Sequence, residues 1–292
     1  MVTRKNKNKV KNKKFTLKKK DVCSTPKRDF KYTCYSGNSL EKMKRFWNTR
    51  HPNNQINSNE PSEIWNHLKL KMKTKCNKES CWLKQQFIKN HLDKNLSKYT
   101  FAPTKPKPWI KKPRTWLTSL DIENVMEQYK EAYKDFTFYG PSPIDFNTKK
   151  LYGQCVWNEI CKFNLKKEIS KNKTKIGFIF NTDPHYLPGE HWVSMFVSVK
   201  KQFIYYFDST GDKTPIEIIN LIKKIKYQGK QIGLNFKVKI NKFPHQQKDT
   251  ECGIYSLFFI SYMLIYENIN FFDNKRISDD TIFQFRNVFF NS

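Results

Sequence analysis

The sequence predicts an α+β fold, a central mixed sheet flanked by helices, preceded by a basic and mainly helical N-terminal extension. Three observations carry this. Apolar, β-prone runs at Ile176–Phe180, His191–Val199 and Gln202–Asp208 follow one another closely, and only Lys200-Lys201 parts the last two, a hairpin signal. Helical stripes flank them in sequence, with Ile122, Val125, Met126, Tyr129 and Tyr133 before, and Ile218, Leu221, Ile222 and Ile225 after. Charge divides the chain: residues 1–114 hold 31 Lys and Arg against 7 Asp and Glu, a net of +24, while residues 115–292 hold 24 against 19, a net of +5.

Taken in order, residues 1–20 are low-complexity Lys and Asn and predict a disordered basic tail. They lack the apolar stretch of a signal peptide. Residues 21–100 predict an arm domain of short helices, with Ile64, Trp65, His67 and Leu68 in one and Trp82, Leu83, Phe87, Ile88 and Leu92 in another. Cys76 and Cys81 with His67 and His91 are zinc-ligand types, but the four-residue gap between the cysteines is loose for zinc, and no metal is expected. Residues 101–114 contain four prolines among basic residues and read as an extended linker to a catalytic domain at 115–292. Thr118 with Asp121 reads as a helix N-cap pair, and Tyr139-Gly140-Pro141-Ser142-Pro143 as the turn that ends that helix. Thr214-Pro215-Ile216-Glu217 reads as a capping box with Pro at the first helical position. Phe236–Phe243 predicts a further strand, and Cys252 opens the main buried helix.

Composition narrows the class. At 292 residues, with 38% hydrophobic and 15% aromatic content, the chain can bury a large core. Seven cysteines, an odd number without a dense framework, favour reduced thiols and a cytosol-like compartment over secretion. The best apolar run, Gly253–Tyr266, is 14 residues long and contains Ser256 and Ser261. A membrane-spanning helix needs about 20, so a soluble protein is expected. The basic region at 1–114 fits DNA or another polyanion as partner.

The chemistry concentrates in Gln246-Gln247-Lys248-Asp249-Thr250-Glu251-Cys252-Gly253. A cysteine in an apolar helix is ordinarily a small buried side chain. At a helix N-terminus, however, free backbone N–H groups and the helix dipole favour the thiolate. His191 at a strand start and Asp208 at a strand end complete a nucleophile, base and orienting acid, with Gln246 as a neutral N–H donor for an oxyanion. Gln247 is the alternative donor. Trp192 could shield the imidazole or simply pack. Cys155, in Gln154-Cys155-Val156-Trp157, resembles the nucleophile region of papain-type enzymes, yet His191 follows it by only 36 residues. It is rejected as nucleophile and expected to be buried.

The order His191-Trp192, Asp208-Ser209, Gln246 and Glu251-Cys252-Gly253 resembles the adenain/Ulp clan of cysteine proteases, which includes the SUMO proteases. Trp116-Leu117-Thr118 resembles the clan's Trp-Leu helix start. Asp249-Thr250-Glu251-Cys252-Gly253 and Tyr139–Phe146 look more like the viral branch, the core-polyprotein proteases of asfarviruses and poxviruses and related giant-virus enzymes. The resemblance spans roughly residues 115–270. It implies a papain-like core, a Cys-His-Asp mechanism without cofactor, and Trp116 and Trp192 as walls of a narrow tunnel for a Gly-Gly or Ala-Gly tail. It further implies a virion and host-cytoplasm location and processing of viral structural precursors by a monomer. The alternatives are an isopeptidase acting on SUMO or ubiquitin conjugates, a YopJ-like acetyltransferase, and a nucleic-acid-binding virion protein without activity.

Overall fold

The structure is a computed structural model that describes residues 21–89, 94–273 and 275–291. The predicted tail at 1–20 lies outside them, as do His91 and Leu92. The sheet has five strands in the order β1 (Phe136–Pro143), β2 (Lys175–Asn181), β3 (Trp192–Ser198), β4 (Phe203–Phe207) and β5 (Lys237–Ile240). The central pairs β2/β3 and β3/β4 are antiparallel, in registers that include Phe178↔Met195 and Phe196↔Tyr205. The outer pairs β1/β2 and β4/β5 are parallel, so the sheet is mixed as expected.

Helices cover both faces, and strand alternation divides the side chains between them. Trp192 and Phe196 of β3 join Ile122 and Met126 of α5 (Ser119–Ala132) and Phe259 and Ile260 of α9 (Cys252–Tyr266) in one core. Val193, Met195 and Val197 face the other way. There they meet Ile218, Leu221 and Ile225 of α8 (Ile216–Lys230), with α6 (Asn158–Cys161) and α7 (Leu165–Ser170) beyond it. The helix α9 is apolar on nearly all sides because it is buried on nearly all sides.

Several local expectations hold. Thr118 and Asp121 form a reciprocal capping box at the start of α5, with Asp121 accepting from the Thr118 N–H at 2.9 Å. The hairpin falls at Lys200-Lys201, and α9 begins at Cys252. Three differ. Tyr139–Pro143 is not a turn after a helix but the second half of β1, which passes through a cis Gly140–Pro141 bond. Thr214 does not cap α8; Pro215 is the N-cap residue and no side chain caps it. The strand predicted over 236–243 runs only over Lys237–Ile240. The short helices α10 (Asp279–Gln284) and α11 (Arg286–Phe289) carried no strong sequence signal.

The arm is helical, with α1 (Gly37–Arg50), α2 (Pro61–Met72), α3 (Gln86–Lys89) and α4 (Lys94–Tyr99). It has its own core, in which Tyr35, Leu40, Met43, Ile64, Leu68 and Ile88 are buried. Residues 101–114 are extended in part but held along their length. The N–H groups of Ala102 and Lys105 donate to Val22 and Asn291, and Asn291 donates to Pro103. Trp109 is buried edge-on against Phe290.

The expectation of reduced thiols does not hold for six of the seven cysteines. Cys23–Cys34, Cys76–Cys81 and Cys155–Cys161 are disulfides across separations of 11, 5 and 6 residues. Each is a local staple, which is why sequence spacing showed no framework. Cys76 and Cys81, bonded to one another, cannot serve as zinc thiolates. Cys155 is buried as expected, and Cys252 alone is free. No helix among the described residues is long and apolar enough to cross a membrane.

Candidate active site

Cys252 is the first residue of the 15-residue α9, with Glu251 as N-cap residue whose carbonyl accepts from the Tyr255 N–H. The positive end of the helix therefore meets the sulfur. Gly253 explains how this end sits so deep: a Cβ there would lie 3.0 Å from Leu117 Cβ and Cδ1. Cys252 is itself buried.

His191 leaves the start of β3 as Asp208 leaves the end of β4. The hairpin register Ser194↔Phe207 brings these strand ends together, so two residues 17 apart in sequence meet at 2.8 Å, His191 Nε2 to Asp208 Oδ1. The same Asp208 oxygen accepts from the Thr210 N–H at 3.0 Å and its hydroxyl at 2.8 Å, while Asn241 Nδ2 donates to the Asp208 carbonyl at 2.6 Å. With Nε2 engaged by Asp208, Nδ1 is the nitrogen left to face Cys252, the other group whose proximity acts on the imidazole. Burial alone would lower the His191 pKa; the bond to Asp208, the proximity of Cys252 and the charges of both outweigh it and raise it to about 10. Burial likewise opposes ionisation of Asp208, but His191 and the Thr210 donors hold its carboxyl below the ordinary value.

Gln246 is buried whereas Gln247 is exposed. Its Nε2 donates to the Lys248 carbonyl at 2.5 Å, and its Oε1 accepts from the Ser209 hydroxyl at 2.7 Å. A carbonyl has no proton to give, so the contact with Lys248 fixes which end of the amide is nitrogen. Ser209 also anchors the backbone here: its carbonyl accepts from the N–H groups of both His245 and Gln246 at 2.8 Å. Asp279 accepts from the Gln247 N–H, and Arg276 bonds both Asp279 and the His245 carbonyl.

Trp116 is 37% exposed, whereas Trp192 is only 6% exposed and donates its indole N–H to the Leu117 carbonyl at 3.1 Å. The latter thus ties β3 to the segment leading into α5. The structure brings His191, Asp208 and Cys252 together and turns Gln246 inward beside Ser209. Sequence reading missed Thr210, Asn241, Asp279 and Arg276, which act only through contacts. Ser209 was legible as the neighbour of Asp208, but not its bond to Gln246. Among the described residues no cluster of His, Cys, Asp and Glu is arranged to hold a metal ion.

A buried cysteine at a helix N-terminus, beside an imidazole that a carboxylate orients, is the arrangement a cysteine-nucleophile hydrolase needs. Residues 123–290 match the Ulp1 protease family, C-terminal catalytic domain. Over 185 residues, 62% of this chain, the sequence is 32% identical to a candidate thiol protease of Acanthamoeba polyphaga mimivirus, and the match spans 58% of that protein. Over 244 residues, 78% of this chain and 88% of the relative, it is 27% identical to a cysteine protease of African swine fever virus. The crystal structure of an African swine fever virus protease superimposes with a TM-score of 0.61 over 92% of this chain and 95% of that one, at 22% identity, a likeness of fold. The chain belongs to the Ulp1 protease family and is a cysteine protease.

Proposed function

We propose that the chain is a viral endopeptidase that cuts structural or core precursor proteins after small residues, of the Gly-Gly or Ala-Gly type, during virion maturation. Cys252 attacks the scissile carbonyl carbon as thiolate. His191 holds the thiol proton and delivers it to the leaving amine, while Asp208 keeps the ring in place. The tetrahedral oxyanion takes hydrogen bonds from the Cys252 backbone N–H and from Gln246 Nε2; each such donor is worth about 10²–10³ in rate. The acyl-enzyme is then hydrolysed by water that His191 deprotonates, and Cys252 is released. Trp116 walls the cleft beside the nucleophile and favours residues without bulky side chains.

The observation that carries this reading is the single imidazole held at 2.8 Å by Asp208 beside the free Cys252 at the start of α9. The basic arm supports retention on genome or another polyanion inside assembling particles and the host cytoplasm. A second reading, cleavage of SUMO-type conjugates, draws on relatives that bear the name SUMO-1 cysteine protease. Fluorogenic peptides ending in Gly-Gly-X and Ala-Gly-X, beside a SUMO-tail fusion, separate the two. Turnover of the short peptides that vanishes in Cys252→Ala supports the endopeptidase; turnover confined to the fusion supports the isopeptidase. Turnover that survives Cys252→Ala overturns both.

A further inference from the structure

The residue that precedes the nucleophile is a fully buried acid. Glu251 has 0% side-chain exposure, and its partner Arg286 has 3%. Arg286 Nε donates to Glu251 Oε2 at 2.8 Å, Nη1 to the Thr115 carbonyl at 2.8 Å and Nη2 to the Thr250 carbonyl at 3.3 Å. Its guanidinium also lies 4.3 Å over the Trp109 ring. The other carboxylate oxygen, Oε1, faces Arg114 Nη1 at 3.4 Å and the Thr250 hydroxyl at 3.2 Å. One arginine from α11 therefore grips the two residues before Cys252 and the strand of chain that leads into α5.

A buried ion pair is weak evidence for stability, because desolvating two charges offsets most of their attraction. Its location is what matters. The first N–H groups of a helix have no partner inside the helix. The direction of the Cys252 N–H, the proposed oxyanion donor, is thus set by the peptide joining Glu251 to Cys252. Arg286 fixes the Thr250 carbonyl on one side of Glu251 and the Glu251 side chain itself, which leaves that peptide little freedom to rotate. It also balances a negative charge that would otherwise stand next to a thiolate. We infer that Glu251 and Arg286 are a positioning pair that aims the nucleophile and its backbone N–H, assembled from α11 and from residues 109–115, which lie before the family match at 123–290.

The inference rests on Cys252 as nucleophile, and its test keeps the two apart. In the full chain, Arg286→Lys, Glu251→Gln and the charge-free double variant Glu251→Leu/Arg286→Met are compared with wild type. The readouts are near-ultraviolet circular dichroism, kcat and KM on a peptide that wild type cleaves, and the rate of Cys252 alkylation by iodoacetamide, read by mass spectrometry. A misplacement near 1 Å costs about 100-fold in rate. Folded single variants should lose about that factor in kcat, with KM little changed and Cys252 alkylated more slowly. If the singles do not fold, a folded double variant with kcat still depressed supports the pair as positioning residues. Folded variants with wild-type kcat overturn it, as does a double variant that regains full kcat. Loss of fold in all three assigns the pair to stability and overturns it too. Turnover that persists in Cys252→Ala would instead remove the nucleophile reading itself.

Discussion

His191 is half-buried and His245 fully buried, and their surroundings drive them in opposite directions. At His191 the pull of burial is overcome by Asp208 and Cys252, and the pKa rises to about 10. At His245 burial dominates and the Arg276 charge adds to it, so the pKa falls despite the bond to the Phe272 carbonyl. His245 accordingly accepts the Ile277 N–H at Nδ1 and donates from Nε2 to Phe272 as a neutral ring. The stability consequences have opposite signs. For His191 the folded value lies above the unfolded one, so its contribution is complete below about 6.5 and is lost as pH rises towards 10. For His245 the unfolded chain binds the extra proton, so stability declines as pH falls through about 6.5. Catalysis should follow the first of these, with kcat/KM falling on the alkaline side as His191 loses its proton. Asp208→Asn removes a charge and keeps the size, leaving burial less opposed. The alkaline limb of the kcat/KM profile should then move to lower pH by about 1–3 units. A limb that stays in place would show that Asp208 does not set the charge of His191.

At the scale of elements, the contact between α9 and the segment before α5 decides how the nucleophile is seated. Alanine in place of glycine normally favours a helix by about 1 kcal/mol. At Gly253 the added methyl would press on Leu117 at 3.0 Å. Leu117 has little room to yield, since its carbonyl holds the Trp192 indole and the next residue opens the Thr118–Asp121 box. Overpacking of this kind costs about 1–3 kcal/mol, so Gly253→Ala should destabilise the protein in urea denaturation and lower kcat. Adding Leu117→Ala should recover part of both losses; strictly additive effects would mean that the contact is not the cause. The elements behind this seat were legible unevenly. The α5 cap could be read because both partners lie within three residues of one another. The β3–β4 hairpin and the start of α9 were marked by apolar patterning and by Lys200-Lys201. Tyr139–Pro143 misled because Gly and Pro ordinarily end elements, whereas here parallel pairing with β2 carries the strand through them. Thr214 misled because its pattern fitted a box that the backbone does not form. The four candidate residues stood out because each has a chemically distinct side chain, three of them at an element edge and Gln246 in the loop that leads to α9. Arg286 and Asp279 did not, since a charged side chain shows its burial and its partners only once the fold brings distant residues around it.

Across the whole molecule, the arm is less separable than the charge boundary near residue 114 suggests. Gln128 of α5 donates to the Lys98 and Phe101 carbonyls, Lys27 donates to Ala132, and Cys23 bridges Phe101. Deleting residues 1–100 would remove Lys27, Lys98 and Cys23 from these contacts, and any loss of polyanion binding could then follow from damage to the fold. Charge reversal on the surface avoids this. Lys69, Lys73 and Lys75, at and just beyond the end of α2, are exposed, while the neighbouring side chains of Met72 and Cys76 carry the packing. Each lysine that neutralises a DNA phosphate contributes about 0.9 to the slope of log affinity against log salt. Lys69→Glu/Lys73→Glu/Lys75→Glu should therefore weaken binding to duplex DNA and flatten that slope by up to about 2.7, leaving the peptide kcat and the thermal midpoint near wild type. Filter binding across a salt series measures the first two. An unchanged slope would mean that this face of the arm does not hold the polyanion. A change in peptide kcat without DNA would mean that the arm acts on the catalytic domain through the fold rather than through its charge.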